Sequence, residues 1–243
     1  MKSQAGFPHG NSVKVVSRCV LNVVGDDWPF ADTYAKEVDA HWQDATAANP
    51  AYFNGIVHLV SDAQAVGTEL HASLVRTNFK SFLYWRSLGF PEAGVIDGFG
   101  SALIRASDGK IILVRQRPGN VNSGFAYLPS GFIDDRDVLP DGTIDIGASV
   151  EREIEEEIGE AGKSLQREEG IVVVRYGTYL CFAVPFYWPM ASEEFAAQVE
   201  QHNAISDHPE LEAVIPVGQL EDLEGLAMLP YARLLLETLL VAR

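Results

Sequence analysis

The residues most able to do chemistry are three glutamates in the segment IGASVEREIEEEIGE, residues 146–160. Every fourth residue here is apolar, which predicts an amphipathic helix with one face packed on a sheet. At about 100° per residue, Glu153, Glu156 and Glu157 all fall on one flank of that helix. Three carboxylates therefore face one region, as the oxygen ligands of a hard divalent cation would.

This arrangement of like charges is unfavourable unless something compensates it. Glu153 and Glu157 are four residues apart, a spacing at which like charges repel by about 0.2–0.5 kcal/mol. Bound Mg²⁺ or Mn²⁺ would turn this repulsion into a gain, since phosphate-cleaving sites hold such ions with a few carboxylates and the substrate phosphates. Arg152 lies four residues before Glu156 and can orient its carboxylate. The alternative is a solvated acidic face on a surface helix.

The pattern around these glutamates resembles the Nudix box, whose core reads Arg-Glu-apolar-any-Glu-Glu-any-Gly. Residues 152–159 match the core at every fixed position, and the segment Leu-Pro-Ser-Gly precedes them at 128–131. The resemblance implies an α/β fold, a Nudix-type α/β/α sandwich with a mixed sheet. It also implies that a metal-loaded helix assists water in attacking a diphosphate.

The same resemblance implies roles for individual residues. Glu153, Glu156 and Glu157 would be catalytic metal ligands for Mg²⁺ or Mn²⁺, and Arg152 would be their orienting partner. The carbonyl of Gly131 would be a further ligand. Either Glu156 or Glu157 would act as the base for the attacking water.

The loop before the helix departs from the family pattern. The interval from Gly131 to Arg152 is longer by about seven residues, and Ile144 stands where the family has a glutamate. The loop contains four aspartates that are candidates to replace the missing carboxylate: Asp134, Asp135, Asp141 and Asp145. Each is equally consistent with a solvated loop acid, and Asp145 also with a helix N-cap.

Further candidates for the site lie outside the box. Arg115 and Arg117 alternate at the end of a predicted hairpin strand, so both face one side and could bind substrate phosphates. Tyr127 is a candidate to bind the substrate by stacking on a base, as are Tyr179 and Tyr187, although a core position suits such residues too. Glu210, in an acidic region near the carboxyl end, is predicted to be an additional metal ligand.

The order of segments before the box resembles the UDP-glucose pyrophosphatase branch of the Nudix proteins. The implied substrate is a nucleoside diphosphate sugar such as UDP-glucose, cleaved at its pyrophosphate bond. ADP-ribose and dinucleoside polyphosphates are alternatives, and Tyr176 lies where hydrolases of the latter often carry a tyrosine. A third hypothesis is a catalytically silent Nudix-fold module that senses a ligand.

The segment PEAGVIDGFG, residues 91–100, is rich in turn residues and divides the chain. Residues 1–95 are predicted to form a small α+β domain that shapes the substrate pocket or mediates a homodimer. Residues 96–243 are predicted to form the Nudix hydrolase domain. The segment SALIRASDGKIILVRQR, residues 101–117, is predicted to be a hairpin about its Asp-Gly pair.

The bulk properties limit the partners. A formal net charge of −16 opposes binding to a nucleic-acid polymer, whereas a bound cation can reverse the local field for a small nucleotide-like substrate. No stretch approaches the roughly 18 apolar residues that span a membrane. The two cysteines lie in apolar runs, so packing explains them better than pairing. These features predict a cytoplasmic protein.

Overall fold

The computed structural model describes residues 10–25, 28–206 and 209–241. The strands of this part of the chain are β1 (Ser12–Val16), β2 (Arg18–Gly25), β3 (Ile56–Val66), β4 (Glu69–Asn78), β5 (Asp97–Ala106), β6 (Ile111–Gln116), β7 (Ala126–Tyr127), β8 (Ser130–Phe132), β9 (Thr143–Ile144), β10 (Gln166–Arg167), β11 (Ile171–Tyr176), β12 (Tyr179–Trp188) and β13 (Leu211–Val217). Its α-helices are α1 (Pro29–Thr33), α2 (Ala35–Ala48), α3 (Phe79–Ser87), α4 (Ile146–Ile158), α5 (Ser192–Ile205) and α6 (Pro230–Val241).

The chain divides into two units, and the division is not a single cut. The described residues of the first unit are 18–25, 28–98 and 132–146, and those of the second are 10–17, 99–131, 147–206 and 209–241. The predicted boundary after residue 95 lies three residues before the crossing between residues 98 and 99. Two segments depart from the predicted contiguous domains because each pairs with distant strands: β1 with β11, and β9 with β2. The predicted roles of the N-terminal portion stay predictions.

The first unit contains a four-stranded sheet in the order β3-β4-β2-β9. Strands β2 and β4 are parallel, and the other two pairs are antiparallel. In β4 the apolar residues Leu70, Ala72 and Leu74 are buried while Glu69, His71 and Ser73 are half-buried, which is the alternation that the sequence predicted. Helix α3 begins at Asn78, whose side chain accepts a hydrogen bond from the Ser81 amide and so caps the helix.

The second unit contains a larger sheet in the order β1-β11-β12-β5-β6-β13, with the short strands β10, β7 and β8 attached to β12, β6 and β5. Strands β5 and β6 flank the Asp108-Gly109 pair, and Gly109 has a φ of 83°, the left-handed conformation such a turn requires. The predicted hairpin is confirmed. The predicted α/β fold with a mixed sheet is confirmed as well.

Helix α4 is held by the apolar stripe that the sequence predicted. Val150, Ile154 and Ile158 are buried in the core of the second unit, together with residues of β5, β6 and β12. Ile146, the first residue of the stripe, is also buried. Gly159 has a φ of 67° and ends the helix. The stripe therefore fixes the rotation of α4, and with it the direction of the glutamate flank.

The described helices include none that is both long and apolar enough to cross a membrane. Cys19 lies in β2 and Cys181 in β12, and neither forms a disulfide. Their predicted packing role is consistent with burial, which raises the pKa of each thiol to about 12.

Asp97, the first residue of β5, is buried with one carboxylate oxygen lacking a hydrogen-bond partner. Burial raises the pKa of this carboxyl to about 7, against an opposing effect of the Arg86 charge. Because the folded state holds this proton more tightly than the unfolded chain does, the free energy of unfolding should fall as pH rises from about 4 to about 7. Above that range, the buried charge of ionised Asp97 should lower the free energy of unfolding by on the order of a few kcal/mol.

We therefore expect Asp97→Asn to stabilise the protein at pH 8 and to have little effect at pH 4.5. The measurement is urea unfolding of the wild type and the variant across this pH range. Asp44→Asn, at an exposed position of α2, is the control and should follow the wild type. Equal stability differences at both pH values would contradict the assignment of a raised pKa to Asp97.

Candidate metal centre

The predicted carboxylates lie on α4 as the helical spacing required, but in different environments. Glu157 is 3% exposed, whereas the side chain of Glu156 is 46% exposed and that of Glu153 is 17% exposed. The stripe of apolar residues explains this gradient, because Glu157 lies about 60° around the helix from buried Ile154, whereas Glu156 lies about 160° from it. The carboxylate of Glu157 is thus enclosed, and that of Glu156 is open to solvent.

Burial and like charges act together on Glu157. Burial raises the pKa of its carboxyl well above the ordinary range, and the charges of Glu210, Glu153 and Glu156 raise it further. A hydrogen bond with Gln116 opposes these effects, while the Oε2 atom has no hydrogen-bond partner. A buried carboxylate oxygen without a partner is costly unless a cation or proton compensates it.

Glu210 lies close enough to this group for its charge to act on Glu157. Glu210 is exposed as a residue, but partial desolvation of its carboxyl group raises its pKa, and the Glu156 charge adds to that shift. The backbone holds Glu210 beside the end of β6, since the Arg117 amide donates to the Glu210 carbonyl at 2.9 Å. The structure thus brings together the residue chosen from the acidic region and two of the box glutamates. That Glu210 is a metal ligand stays a prediction.

Arg152 is the cationic partner of the cluster. Its Nη1 atom lies 2.5 Å from Oε1 of Glu153 and 3.4 Å from Oε1 of Glu156. The sequence indicated the second contact, at the four-residue spacing, and the structure adds the shorter one to the adjacent glutamate. Since the guanidinium is permanently charged, it fixes both carboxylates without competing as a metal ligand.

Gly131 lies directly against Glu153. A Cβ atom at residue 131 would be 2.0 Å from Cδ of Glu153 and 2.2 Å from its Oε2 atom. No side chain fits there unless the glutamate moves, so the glycine leaves room for the carboxylate beside the backbone. This close approach supports the prediction that the Gly131 backbone belongs to the site.

The residues present fit a divalent cation such as Mg²⁺ or Mn²⁺. The donors are all oxygen atoms, they share one region, and a buried carboxylate oxygen lacks a partner. Across residues 10–25, 28–206 and 209–241, no three His, Cys, Asp or Glu side chains already form a metal-binding group.

Arg115 and Arg117 lie at the end of β6 and Tyr127 lies in β7, and their role in binding substrate stays a prediction. Gln116, between the two arginines on β6, carries its side chain to Glu157. Arg117 instead donates from Nε to the Leu211 carbonyl at 3.1 Å, and Arg115 has a buried Nε without a hydrogen-bond partner. Tyr127 is fully buried and exposes no ring face for stacking. Burial, together with the charges of Glu157 and Glu210, raises the pKa of the Tyr127 hydroxyl group. The hydroxyl group therefore lies near these two carboxylates.

The two other tyrosines and Tyr176 have distinct positions. Tyr179 is half-buried, with its ring 5.9 Å from that of Tyr231 and 6.3 Å from that of Phe99. The Tyr231 hydroxyl lies 3.3 Å from Oγ of Ser130, the residue before Gly131. Tyr187 lies in β12 opposite Gln166. Tyr176 packs against the core, as its place at the end of an apolar strand allowed.

The aspartates of the long loop have partners within the first unit. Asp135 binds Arg76, Asp134 binds Arg136, and the Asp141 side chain accepts hydrogen bonds from Thr143. Ile144, at the place of the family glutamate, is 5% exposed and pairs with Leu21 of β2. The loop therefore serves a structural purpose at this position, and these contacts give no support to a replacement ligand.

Two residues of this region were not found from the sequence. Gln116 lacked a signal because it lies between two arginines that the strand alternation placed on the other face. His202 of α5 packs on the end of α4, where a Cβ atom at Gly159 would be 2.2 Å from its Nδ1 atom. A contact between distant elements such as this leaves no periodic trace in the sequence.

The solved structures that resemble the chain include three that are 18–22% identical to it. The Nudix hydrolase RenU from M. smegmatis is 18% identical, with 58% of this chain and 82% of that chain covered and a TM-score of 0.38. The MutT protein from Methanosarcina mazei Go1 is 22% identical, covering 58% and 90%, with a TM-score of 0.38. The E. coli ORF135 protein is 18% identical, covering 60% and 89%, with a TM-score of 0.33.

No family model and no curated protein matches the chain. With identities of 18–22% and TM-scores of 0.33–0.38, these similarities do not indicate what this chain does. The residues of the chain are the basis for its function.

We expect Mg²⁺ or Mn²⁺ to bind at these carboxylates. Calorimetry should detect binding to the wild type that the double variant Glu156→Gln with Glu157→Gln abolishes, because amides cannot replace the two charges. Glu155→Gln is the matched control, since Glu155 is an exposed glutamate on the same helix. The metal-free double variant should be no less stable than the wild type, because like charges are removed. Unchanged affinity in the double variant would contradict the assignment.

Proposed function

We propose that the chain is a Nudix-type hydrolase that uses a divalent metal to cleave the pyrophosphate bond of a nucleotide-like substrate. The observation that carries this proposal is the burial of Glu157 within range of the charges of Glu210, Glu153 and Glu156, on a helix whose Glu153 lies directly against Gly131. A surface helix with a merely solvated acidic face would not bury one of its glutamates among other carboxylates. Arg152 provides the orienting cation that the box pattern implies.

Each residue then has a distinct task. Glu153, Glu156 and Glu157 would hold Mg²⁺ or Mn²⁺, with the Gly131 carbonyl and Glu210 as further ligands. When bound, the ion would neutralise the diphosphate and favour deprotonation of the attacking water. Arg152 restrains Glu153 and Glu156. Gln116 orients the buried carboxyl group of Glu157.

The difference in exposure favours Glu156 as the base for the attacking water. Its side chain is 46% exposed, so it is open to water, whereas Glu157 is enclosed. A base must reach the proton that it removes directly or through one water molecule. Water adds to one phosphorus, the bridging P–O bond breaks, and the leaving phosphate departs with that oxygen. Base and solvent take up the protons of the water molecule.

The leading substrate class is a nucleoside diphosphate sugar such as UDP-glucose. Its support is the resemblance in segment order to the UDP-glucose pyrophosphatase branch. Tyr179 is the tyrosine best placed to stack on a base, because it is half-buried and is linked through Tyr231 to Ser130. Tyr127 is instead buried, with its hydroxyl group near Glu157 and Glu210.

We expect the protein to hydrolyse UDP-glucose, or a related nucleotide sugar, to a nucleoside monophosphate and a sugar phosphate in the presence of Mg²⁺ at mildly alkaline pH. Phosphorus NMR identifies the products. A panel with UDP-galactose, ADP-ribose, dinucleoside polyphosphates, coenzyme A and nucleoside triphosphates ranks the substrate classes by kcat/KM. Glu157→Gln should lower the rate by orders of magnitude because it removes charge without volume, whereas Glu155→Gln should retain it.

Two outcomes would overturn this proposal. Turnover that persists after chelation by EDTA would exclude the metal-dependent reaction. A wild type that hydrolyses no member of the panel, but whose melting temperature one compound raises, would favour the ligand-sensing module. Preferential hydrolysis of ADP-ribose or of a dinucleoside polyphosphate would support the proposed hydrolase but would replace the nucleotide sugar as its substrate.

A further inference from the structure

Four polar side chains of the second unit form a connected series that ends at the residue before Gly131. Oγ of Ser130 lies 2.6 Å from Oγ of Ser101 in β5 and 3.3 Å from the Tyr231 hydroxyl of α6. The Cys181 thiol of β12 lies 3.2 Å from Oγ of Ser101. We call these four residues the Ser130 network. All of them, and Gly131 itself, belong to the second unit.

The single hydrogen of each hydroxyl group gives the bonds of the Ser130 network a direction. The Leu128 carbonyl, 2.6 Å from Oγ of Ser130, can only accept a hydrogen bond, so Ser130 donates to it. The two lone pairs of the Ser130 oxygen then accept hydrogen bonds from Ser101 and Tyr231. Cys181 in turn donates from its thiol to Ser101. Each of the four donors thus has an acceptor, and a buried polar network satisfied in this way is rigid.

The Ser130 network lies in the core rather than at the surface. Ser101 and Cys181 are fully buried, Tyr231 is 1% exposed, and Ser130 is half-buried. Phe99 packs edge-on against the Tyr231 ring, with the ring centroids 4.9 Å apart, and so holds the direction of its hydroxyl group. Because water cannot replace a lost partner at the buried positions, removing one hydroxyl group would leave another polar atom unsatisfied.

Two adjacent residues of β5 hold the backbone that leads into Gly131. The Ser101 side chain donates to the Ser130 hydroxyl group, as described above. The Ala102 amide donates to the Pro129 carbonyl at 2.8 Å. The proline ring fixes its own φ angle, which removes one further freedom of the chain. Main-chain and side-chain bonds to one strand therefore set the course of the backbone immediately before Gly131.

The position of Gly131 and that of the Glu153 carboxylate depend on each other. A Cβ atom at residue 131 would overlap the Glu153 side chain, so the glycine and the glutamate are in direct contact. The Glu153 side chain is 17% exposed, and Arg152 restrains it. A displacement of the Gly131 backbone would therefore displace this carboxylate or open a gap beside it. Ligand groups have to be held to within about 0.5 Å of their productive positions.

We propose that Ser130 is a positioning residue, held by the other members of the Ser130 network, and that it sets the cation affinity of the carboxylates on α4 by fixing the backbone at Gly131. This inference rests on the proposed metal-dependent function. Ser130 is not a ligand, and it acts through the Gly131 backbone. Hydrogen bonds in the core, from β5, β12 and α6, thus support a site on α4.

The test compares Mn²⁺ binding in full-length variants by calorimetry. We expect Ser130→Ala to raise the dissociation constant about three- to tenfold, less than removing a direct partner of a ligand would. Tyr231→Phe keeps the ring and should raise the dissociation constant by less, because its contact of 3.3 Å with Ser130 is longer than that of Ser101. Ser130→Thr retains the hydroxyl group and should keep most of the wild-type affinity.

Two further variants separate positioning from a general loss of packing. Ser149→Ala is the matched control, since Ser149 is a buried serine of α4 whose hydroxyl group has no hydrogen-bond partner among the described residues. This control should leave the dissociation constant unchanged. The double variant Ser101→Ala with Ser130→Ala should bind Mn²⁺ no more weakly than Ser130→Ala alone, because Ser101 acts through Ser130.

A second readout does not depend on metal. The Ala102 amide reports on the Pro129 carbonyl that it binds. In the metal-free protein, this amide should exchange its hydrogen faster in Ser130→Ala than in the wild type or Ser149→Ala. Unchanged Mn²⁺ affinity in Ser130→Ala would overturn the proposal even if its melting temperature falls, since that would be a structural effect alone. If the wild type binds no Mn²⁺, the proposed function fails, and the link to cation affinity fails with it. Hydrogen exchange then shows whether Ser130 still holds the backbone.

Discussion

The constraint on which the site depends is the burial of like charge. Glu157 is enclosed next to Glu153, Glu156 and Glu210, and one of its oxygen atoms lacks a partner. Arg152 compensates two of these carboxylates but does not remove the excess negative charge. A divalent cation held by these carboxylates would offset the excess negative charge around Glu157.

The surrounding structure follows from keeping this cluster in place. The apolar stripe of α4 sets the helix rotation, and Gly131 allows the backbone to approach Glu153. Gln116 approaches from β6, and His202 packs against Gly159 at the end of the helix. Each of these contacts restrains α4 at a different point.

The sequence predicted the parts that depend on local geometry. The flank of glutamates followed from 100° per residue, and the β5–β6 hairpin followed from its Asp-Gly turn. Glu210 was chosen from an acidic region and does lie near Glu157, although its role as a ligand stays a prediction. Strand alternation also placed Arg115 and Arg117 together, but it did not show that Gln116 faces Glu157.

The exchange of segments between the units was not predictable from periodicity. Strand β1 and residues 132–146 join sheets formed by residues far away in sequence, and such pairings depend on contacts that no local pattern records. Ile144 illustrates the difference between a local sequence pattern and a contact with a distant strand. As a departure from the box it suggested a lost ligand, whereas the structure shows a buried residue paired with Leu21.

The most direct test of the account is a crystal structure of the protein grown with Mn²⁺, with the metal located by anomalous scattering. The account predicts a peak coordinated by at least two of Glu153, Glu156 and Glu157, at distances near 2.2 Å as roughly expected for manganese and oxygen. Manganese bound elsewhere on the chain, with these carboxylates unchanged, would contradict it.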